Sequence, residues 1–216
     1  MSVKVVIFDF DGTLADTLDA LVRITNRLAK EFGYQPAAPE ELPKVRDLSS
    51  REIVKQSGIS FFKLPFLLKK IREELQPEIQ GLNPIPGIKE ALIQLKKDGY
   101  CLGILTSNSE ENVRIFLNNQ GIQDLFSFVD SETSVFGKDK SIKKLIRKNN
   151  LTSEDIIYVG DETRDIEASK KIKIKVIAVT WGFNSGEVLA KHQPDFFIHE
   201  PRELIDVLLS LQKNVS

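Results

Sequence analysis

The sequence predicts a doubly wound α/β protein, a parallel sheet with helices on both faces, interrupted early by a helical insert. Three observations carry this. Short β-branched or aromatic runs alternate with longer stretches of helical spacing, which implies crossover connections. The strand-like runs have the composition of strands buried on both faces. Residues 16–80 hold only helical patterns, directly after the first strand-like run.

The run 3–10 is β-branched and aromatic, a buried-strand composition. From 16 to 32, Leu18, Leu21, Val22, Leu28, Ala29 and Phe32 are assigned to one helical face, and Gly33 stops the helix. Shorter helices fit 40–45 and 50–57. Another fits 61–75, with Pro65 near its first turn and Pro77 beyond its end. Its residues Phe61, Phe62, Leu64, Phe66, Leu67 and Leu68 are expected to form the core of the insert rather than a substrate box, with a partner-facing surface as the alternative for some of them.

The run 82–87 is a loop signal. A helix follows with Ile88, Ala91, Leu92 and Leu95 inward and Gly99 at its end. Then come a strand at 100–106, a helix from a Ser109 cap to Gln120, and a short strand at 126–129. A helix at 139–149, a strand at 155–159, a helix at 163–171 and a strand at 174–180 continue the alternation. Trp181 and Phe183 are expected to pack around the turn after it. A weak strand at 196–198 and a helix at 201–211 close the chain. The simplest division is a core of residues 1–15 and 84–216 and a helical cap of residues 16–83.

Composition narrows the function. Lys plus Arg is 30 and Asp plus Glu is 31, a formal net charge of −1, which argues against a dedicated nucleic-acid binder. The single cysteine, Cys101, excludes an intrachain disulfide and a cysteine-based zinc site. No apolar run reaches the roughly 18 residues of a membrane span. The N-terminal run lacks a cleavage site, so a soluble cytoplasmic protein is expected.

In parallel sheets, ligands bind beyond the carboxyl ends of the strands. After the first strand come Asp9, Asp11, Gly12 and Thr13. After the second come Thr106, Ser107 and Asn108. After the fourth come Gly160, Asp161 and Asp165, and Lys138 sits just ahead of a helix N-terminus, between the third and fourth strands. Carboxylates so close together need a counter-charge, and a hard divalent cation supplies one. Magnesium (Mg2+) prefers oxygen ligands and keeps several waters, so Asp9 and Asp161 suffice as side-chain ligands.

These residues fall in a recognisable order. Phe8-Asp9-Phe10-Asp11-Gly12-Thr13-Leu14 resembles motif I of the haloacid dehalogenase superfamily. Ile104-Leu105-Thr106-Ser107-Asn108 is similar to motif II, and Lys138 falls where motif III is expected. Val159-Gly160-Asp161-Glu162-Thr163-Arg164-Asp165 resembles motif IV. Order, spacing and strand-end placement together make the pattern specific. It covers nearly the whole chain, includes a helical C1-type cap, and points to the phosphoglycolate phosphatase-like branch.

The resemblance implies a magnesium-dependent phosphatase acting on a small phosphomonoester, phosphoglycolate-like or a sugar phosphate. Asp9 would be the nucleophile that becomes an aspartyl-phosphate. Asp11 would act as acid and then base, and lend its backbone carbonyl to the metal. Asp9, Asp11 and Asp161 would hold magnesium, while Thr106, Ser107, Asn108 and Lys138 would bind the phosphoryl group. Asp165 would bind a metal-bound water or Lys138, or simply start its helix. Lys140 rivals Lys138, because the run Gly137-Lys138-Asp139-Lys140 lacks the proline that often follows this lysine in the family, and Asp139 would partly neutralise either. Arg46 and Arg51 fall where such caps carry a substrate-facing loop; surface arginines are the plainer reading.

The expected partner is a small phosphorylated metabolite, with no nucleic acid or membrane, and the chain a monomer or homodimer. Two other functions compete. A phosphomutase on the same scaffold would yield an isomer rather than free phosphate. A regulatory binding protein would keep the fold without turnover, but has no need of Asp11 as an acid. A true haloacid dehalogenase needs no metal and typically lacks an acid at the position of Asp11.

Overall fold

Val5–Phe8 form β1, a four-residue strand buried along its whole length. In the computed structural model, which describes residues 3–131 and 137–213, this strand lies at the centre of a six-stranded parallel sheet. The remaining residues of the expected core, 1–2, 132–136 and 214–216, fall outside the described residues. The other strands are β2 (Cys101–Thr106), β3 (Phe126–Ser131), β4 (Ile156–Gly160), β5 (Lys175–Val179) and β6 (Phe196–Ile198). Their order is β3-β2-β1-β4-β5-β6, so the chain reverses its direction of growth at β1. That reversal opens a crevice at the carboxyl end of β1.

Successive residues of each strand face opposite sides. Val6 and Phe8 join one apolar layer with Leu92, Val113, Phe116 and Leu204. Val5 and Ile7 join the other with Ile142, Leu145, Ile166 and Leu189. Each such fully buried side chain contributes about 1.5–3 kcal/mol relative to an exposed position. The first layer is built on α5 (Ile88–Lys97), α6 (Glu110–Asn119) and α10 (Glu203–Lys213). The second is built on α7 (Lys138–Lys148), α8 (Thr163–Ile172) and α9 (Gly186–Lys191). The helix α9 has no counterpart in the sequence reading. It is six residues long, and the Ser185 hydroxyl caps it by accepting from the Val188 N–H.

Between β1 and α5 the chain forms α1 (Leu18–Phe32), α2 (Leu42–Arg46), α3 (Ser50–Ser57) and α4 (Leu64–Leu75). The buried stripe of α1 is Ala20, Ile24, Leu28, Ala29 and Phe32, whereas Leu18, Leu21 and Val22 are only half-buried. The expected face was thus rotated: the stripe follows the i, i+4 row through Ile24. The expectation for 61–68 also needs correction. Phe61, Phe62 and Phe66 are 66%, 86% and 69% exposed, while Leu64 and Leu67 are buried. The row Leu64, Leu67, Ile71 and Leu75 faces inward at helical spacing, and Phe66 lies on the opposite side.

The two crossings between helical segment and sheet run side by side. The Asp16 N–H donates to the Asn83 carbonyl at 3.0 Å, and the Ile85 N–H donates to the Leu14 carbonyl at 2.9 Å.

Candidate active site

Asp9 follows β1 directly and is 2% exposed. Its Oδ1 accepts from the Phe10 N–H at 2.7 Å, and its Oδ2 accepts from Lys138 Nζ at 2.6 Å. The strand end places the carboxyl in the crevice, and the backbone must then turn away sharply. Gly12 makes that turn at φ 74°, in the left-handed region, where a Cβ would stand 2.3 Å from Asp161 Oδ2. Gly182 approaches as closely from the far side, since its Cβ would also meet Asp161 at 2.3 Å.

Lys138 opens α7 and is buried, whereas Lys140 is exposed. A lysine at a helix N-terminus opposes the helix dipole. Here two carboxylates offset this, because Lys138 Nζ also donates to Asp165 Oδ1 at 2.5 Å. Asp139 neutralises neither lysine: it pairs with Lys171 at 2.8 Å. Asp165 serves two of its expected roles at once, since its other oxygen accepts from the Glu162 N–H and caps α8. Asp161 is not a helix cap. It accepts from the Thr13 hydroxyl at 2.6 Å and from the Phe183 N–H at 2.7 Å.

Asp11 turns towards motif II. Both its oxygens accept from Asn108 Nδ2, at 3.1 and 3.2 Å. Thr106 is buried, and its hydroxyl accepts from the Asn108 N–H. The Ser107 hydroxyl lies 3.4 Å from a guanidinium nitrogen of Arg164. The three strand-end motifs and Lys138 therefore meet in one crevice.

The electrostatics of this crevice are those of buried acids in excess. Burial raises the Asp11 carboxyl to about 7, helped by the charge of Asp9 and resisted by the Asn108 hydrogen bond. Burial likewise lifts Asp165 to about 6 against the pull of Lys138. Asp161 is held well above the carboxylate range by burial and by Glu162, Asp9 and Asp165. Burial opposes the charge on Lys138, but Asp165 and Asp9 more than offset it and hold the ammonium protonated.

Oxygens of Asp9, Asp161 and Asp165 lie within 4.8 Å of one another, an all-oxygen, anionic donor set. That chemistry suits a hard divalent cation, which would stabilise the charged forms that burial disfavours. The Asp11 side chain lies outside this trio, and its backbone carbonyl is the atom that the sequence reading assigns to a metal.

Arg46 and Arg51 part company. Arg46 is half-buried and donates to the Phe183 and Gly182 carbonyls at 2.9 Å, so it joins the helical segment to the β5–α9 loop. Arg51 is exposed and lines a cleft with Lys138 and Arg164. Trp181 packs at this turn and donates to the Thr13 carbonyl.

Residues outside the sequence assignment also build the site. Arg164 pairs with Glu162 at 2.5 Å, and Glu162 also accepts from the Ser50 hydroxyl. A cation in the first turn of a helix runs against the dipole, and that signal was available in the sequence. Asn184 accepts from the Thr163 N–H and donates to the Arg46 and Leu48 carbonyls. Asn112, 1% exposed, contacts Asn108. Neither asparagine carries a local signal: the Asn184 partners are distant in sequence, and Asn112 bonds the distant Arg72 carbonyl as well as its neighbour Asn108.

Known proteins share this architecture. A family described as haloacid dehalogenase-like hydrolase matches residues 6–179. The chain is 37% identical over 210 residues to a phosphoglycolate phosphatase of Synechococcus elongatus, covering 97% of this chain and 99% of that one. It is 29% identical to a phosphoglycolate phosphatase of Vibrio cholerae, covering 96% and 98%. Among solved structures, a predicted phosphatase from Clostridium acetobutylicum superposes with a TM-score of 0.83 at 21% identity, covering 97% and 100%. Among the described residues, no helix is long and apolar enough to cross a membrane.

Proposed function

The chain belongs to the haloacid dehalogenase-like hydrolases, and from that premise we propose that it is a magnesium-dependent phosphatase of small phosphomonoesters. The observation that carries this reading is Asp9: a buried carboxylate at a strand end, bonded to Lys138 and close to Asp161 and Asp165. The substrate is a phosphoglycolate-like compound or a sugar phosphate. The relatives named phosphoglycolate phosphatase support the former.

Asp9 attacks phosphorus in line, forming a bond to phosphorus as the bond to the leaving oxygen breaks. The product on the protein is an aspartyl-phosphate. Asp11 gives its proton to the leaving oxygen and later takes one from the water that hydrolyses the intermediate. The Thr106 hydroxyl, the Ser107 N–H and Asn108 hold phosphoryl oxygens, and Lys138 adds positive charge beside the nucleophile. Magnesium, held by Asp9, Asp161 and the Asp11 carbonyl, would offset the repulsion between anionic nucleophile and anionic phosphate. Residues 16–83 act as a cap that excludes bulk water. The paired crossings at Asp16 and Ile85 are its hinge.

Phosphate release from a panel of small phosphoesters tests this, with magnesium and with EDTA, on wild type and Asp9→Asn. Magnesium-dependent release that the substitution abolishes is the expected result. Full activity in Asp9→Asn overturns the mechanism, and an isomerised sugar phosphate in place of free phosphate overturns hydrolysis in favour of a mutase.

A further inference from the structure

We propose that Asn112 is a positioning residue for the acid Asp11, acting through Asn108; this rests on the reading of Asp11 given above. Asn112 is the third residue of α6 and 1% exposed. An apolar residue is the expected occupant of such a place, because asparagine is a poor helix former and a buried amide is costly unless bonded. Its NH2 group bridges α4 and the loop after β2. Asn112 Nδ2 donates to the Arg72 carbonyl in α4 at 3.0 Å and to Asn108 Oδ1 at 3.0 Å. Asn108 Oδ1 also accepts from the Ser109 N–H at 2.8 Å.

Two donors on one oxygen fix which end of the Asn108 amide is which. Its NH2 is therefore turned to Asp11, where it reaches both carboxyl oxygens. The Ser131 hydroxyl holds the Asn108 carbonyl at 2.5 Å, so the main chain is tethered as well. Asn112 touches neither the reacting atoms nor Asp11. It locks the residue that orients the acid, and the Arg72 carbonyl locks Asn112 in turn. The acid is thereby aligned while α4 is seated on α6.

The consequence is specific to the step in which Asp11 gives its proton to the leaving oxygen as the P–O bond breaks. An alkoxide leaving group needs that proton, whereas p-nitrophenolate departs without it. The test measures kcat/KM, which reports steps up to departure, for 2-phosphoglycolate as the alkyl phosphate and for p-nitrophenyl phosphate. Asn112→Ala, which favours the helix, and the isosteric Asn112→Asp are compared with Asp11→Asn.

Both Asn112 variants are expected to lose ten-fold or more on the alkyl ester and to stay within about two-fold on the aryl ester. Asp11→Asn shows the same contrast more strongly. Equal losses on both esters in the Asn112 variants, beside a clear contrast in Asp11→Asn, overturn the positioning role alone. So does unchanged activity on both. No contrast in Asp11→Asn overturns the acid role and this proposal together.

Discussion

Lys138 Nζ lies 2.5 Å from Asp165 Oδ1, and both residues are almost completely buried. The same ammonium bonds Asp9. One cation thus serves two carboxylates, one just after β1 and one in α8, which ties three sequence motifs together. Removing one partner of a buried ion pair strands the others.

Lys138→Met should therefore cost about 3 kcal/mol of stability in EDTA, read from urea unfolding, because Asp9 and Asp165 lose their shared counter-charge. Phosphatase activity should fall at least 100-fold, as expected when a charge aimed at the developing phosphoryl group is lost. Lys140→Ala, at an exposed position, should change neither.

Stability without metal should fall as pH rises. Burial pushes the Asp11 and Asp165 carboxyls up to about 7 and about 6 in the folded protein, from the ordinary 3.8. Between those values the native state holds more protons than the unfolded state, so each pH increase favours unfolding. In EDTA, Tm should be higher at about pH 5.5 than at about pH 8. Magnesium should shrink or reverse that difference, since it binds the ionised carboxylates. A Tm in EDTA that rises across this range would contradict the arrangement.

Asp161→Asn separates metal binding from folding. Burial and three neighbouring acids disfavour the Asp161 charge. A neutral isostere should raise Tm in EDTA at about pH 8, while the stabilisation gained on adding magnesium should largely disappear. Calorimetry with and without magnesium reads both effects.

Gly103→Ala tests the sheet beneath the site. A Cβ there would stand 1.9 Å from the Phe128 ring across the β2–β3 pair. The ring must shift, and the loss should be about 1–3 kcal/mol by denaturant unfolding. Phe128→Leu in the same protein should recover part of it.

The motif residues were legible because their signal is local. A carboxylate directly after a β-branched strand is placed by topology alone at the carboxyl edge of the sheet. Asp9 and Asp161 follow β1 and β4 and Thr106 ends β2, three neighbouring strands, so strand order sufficed to bring them together. The helix α9 was hidden because its six residues are held by the Ser185 cap and by Leu189 in the core rather than by periodicity. Phe66 is exposed because of its angular position on α4, and Phe61 and Phe62 because they lie in the short turn before that helix; hydrophobicity alone shows neither.

By itself, then, the sequence determined the doubly wound class, the helical insertion after β1 and the set of acids at the strand ends. Each depends on residue type and spacing along the chain. Tertiary structure alone decided that Lys138 rather than Lys140 meets the acids, that Arg46 binds the carbonyls of Gly182 and Phe183, and that Asn112 links Arg72 to Asn108. Those are contacts between segments far apart in sequence. Their geometry is set by how helices pack on the twisted sheet, which no local pattern encodes.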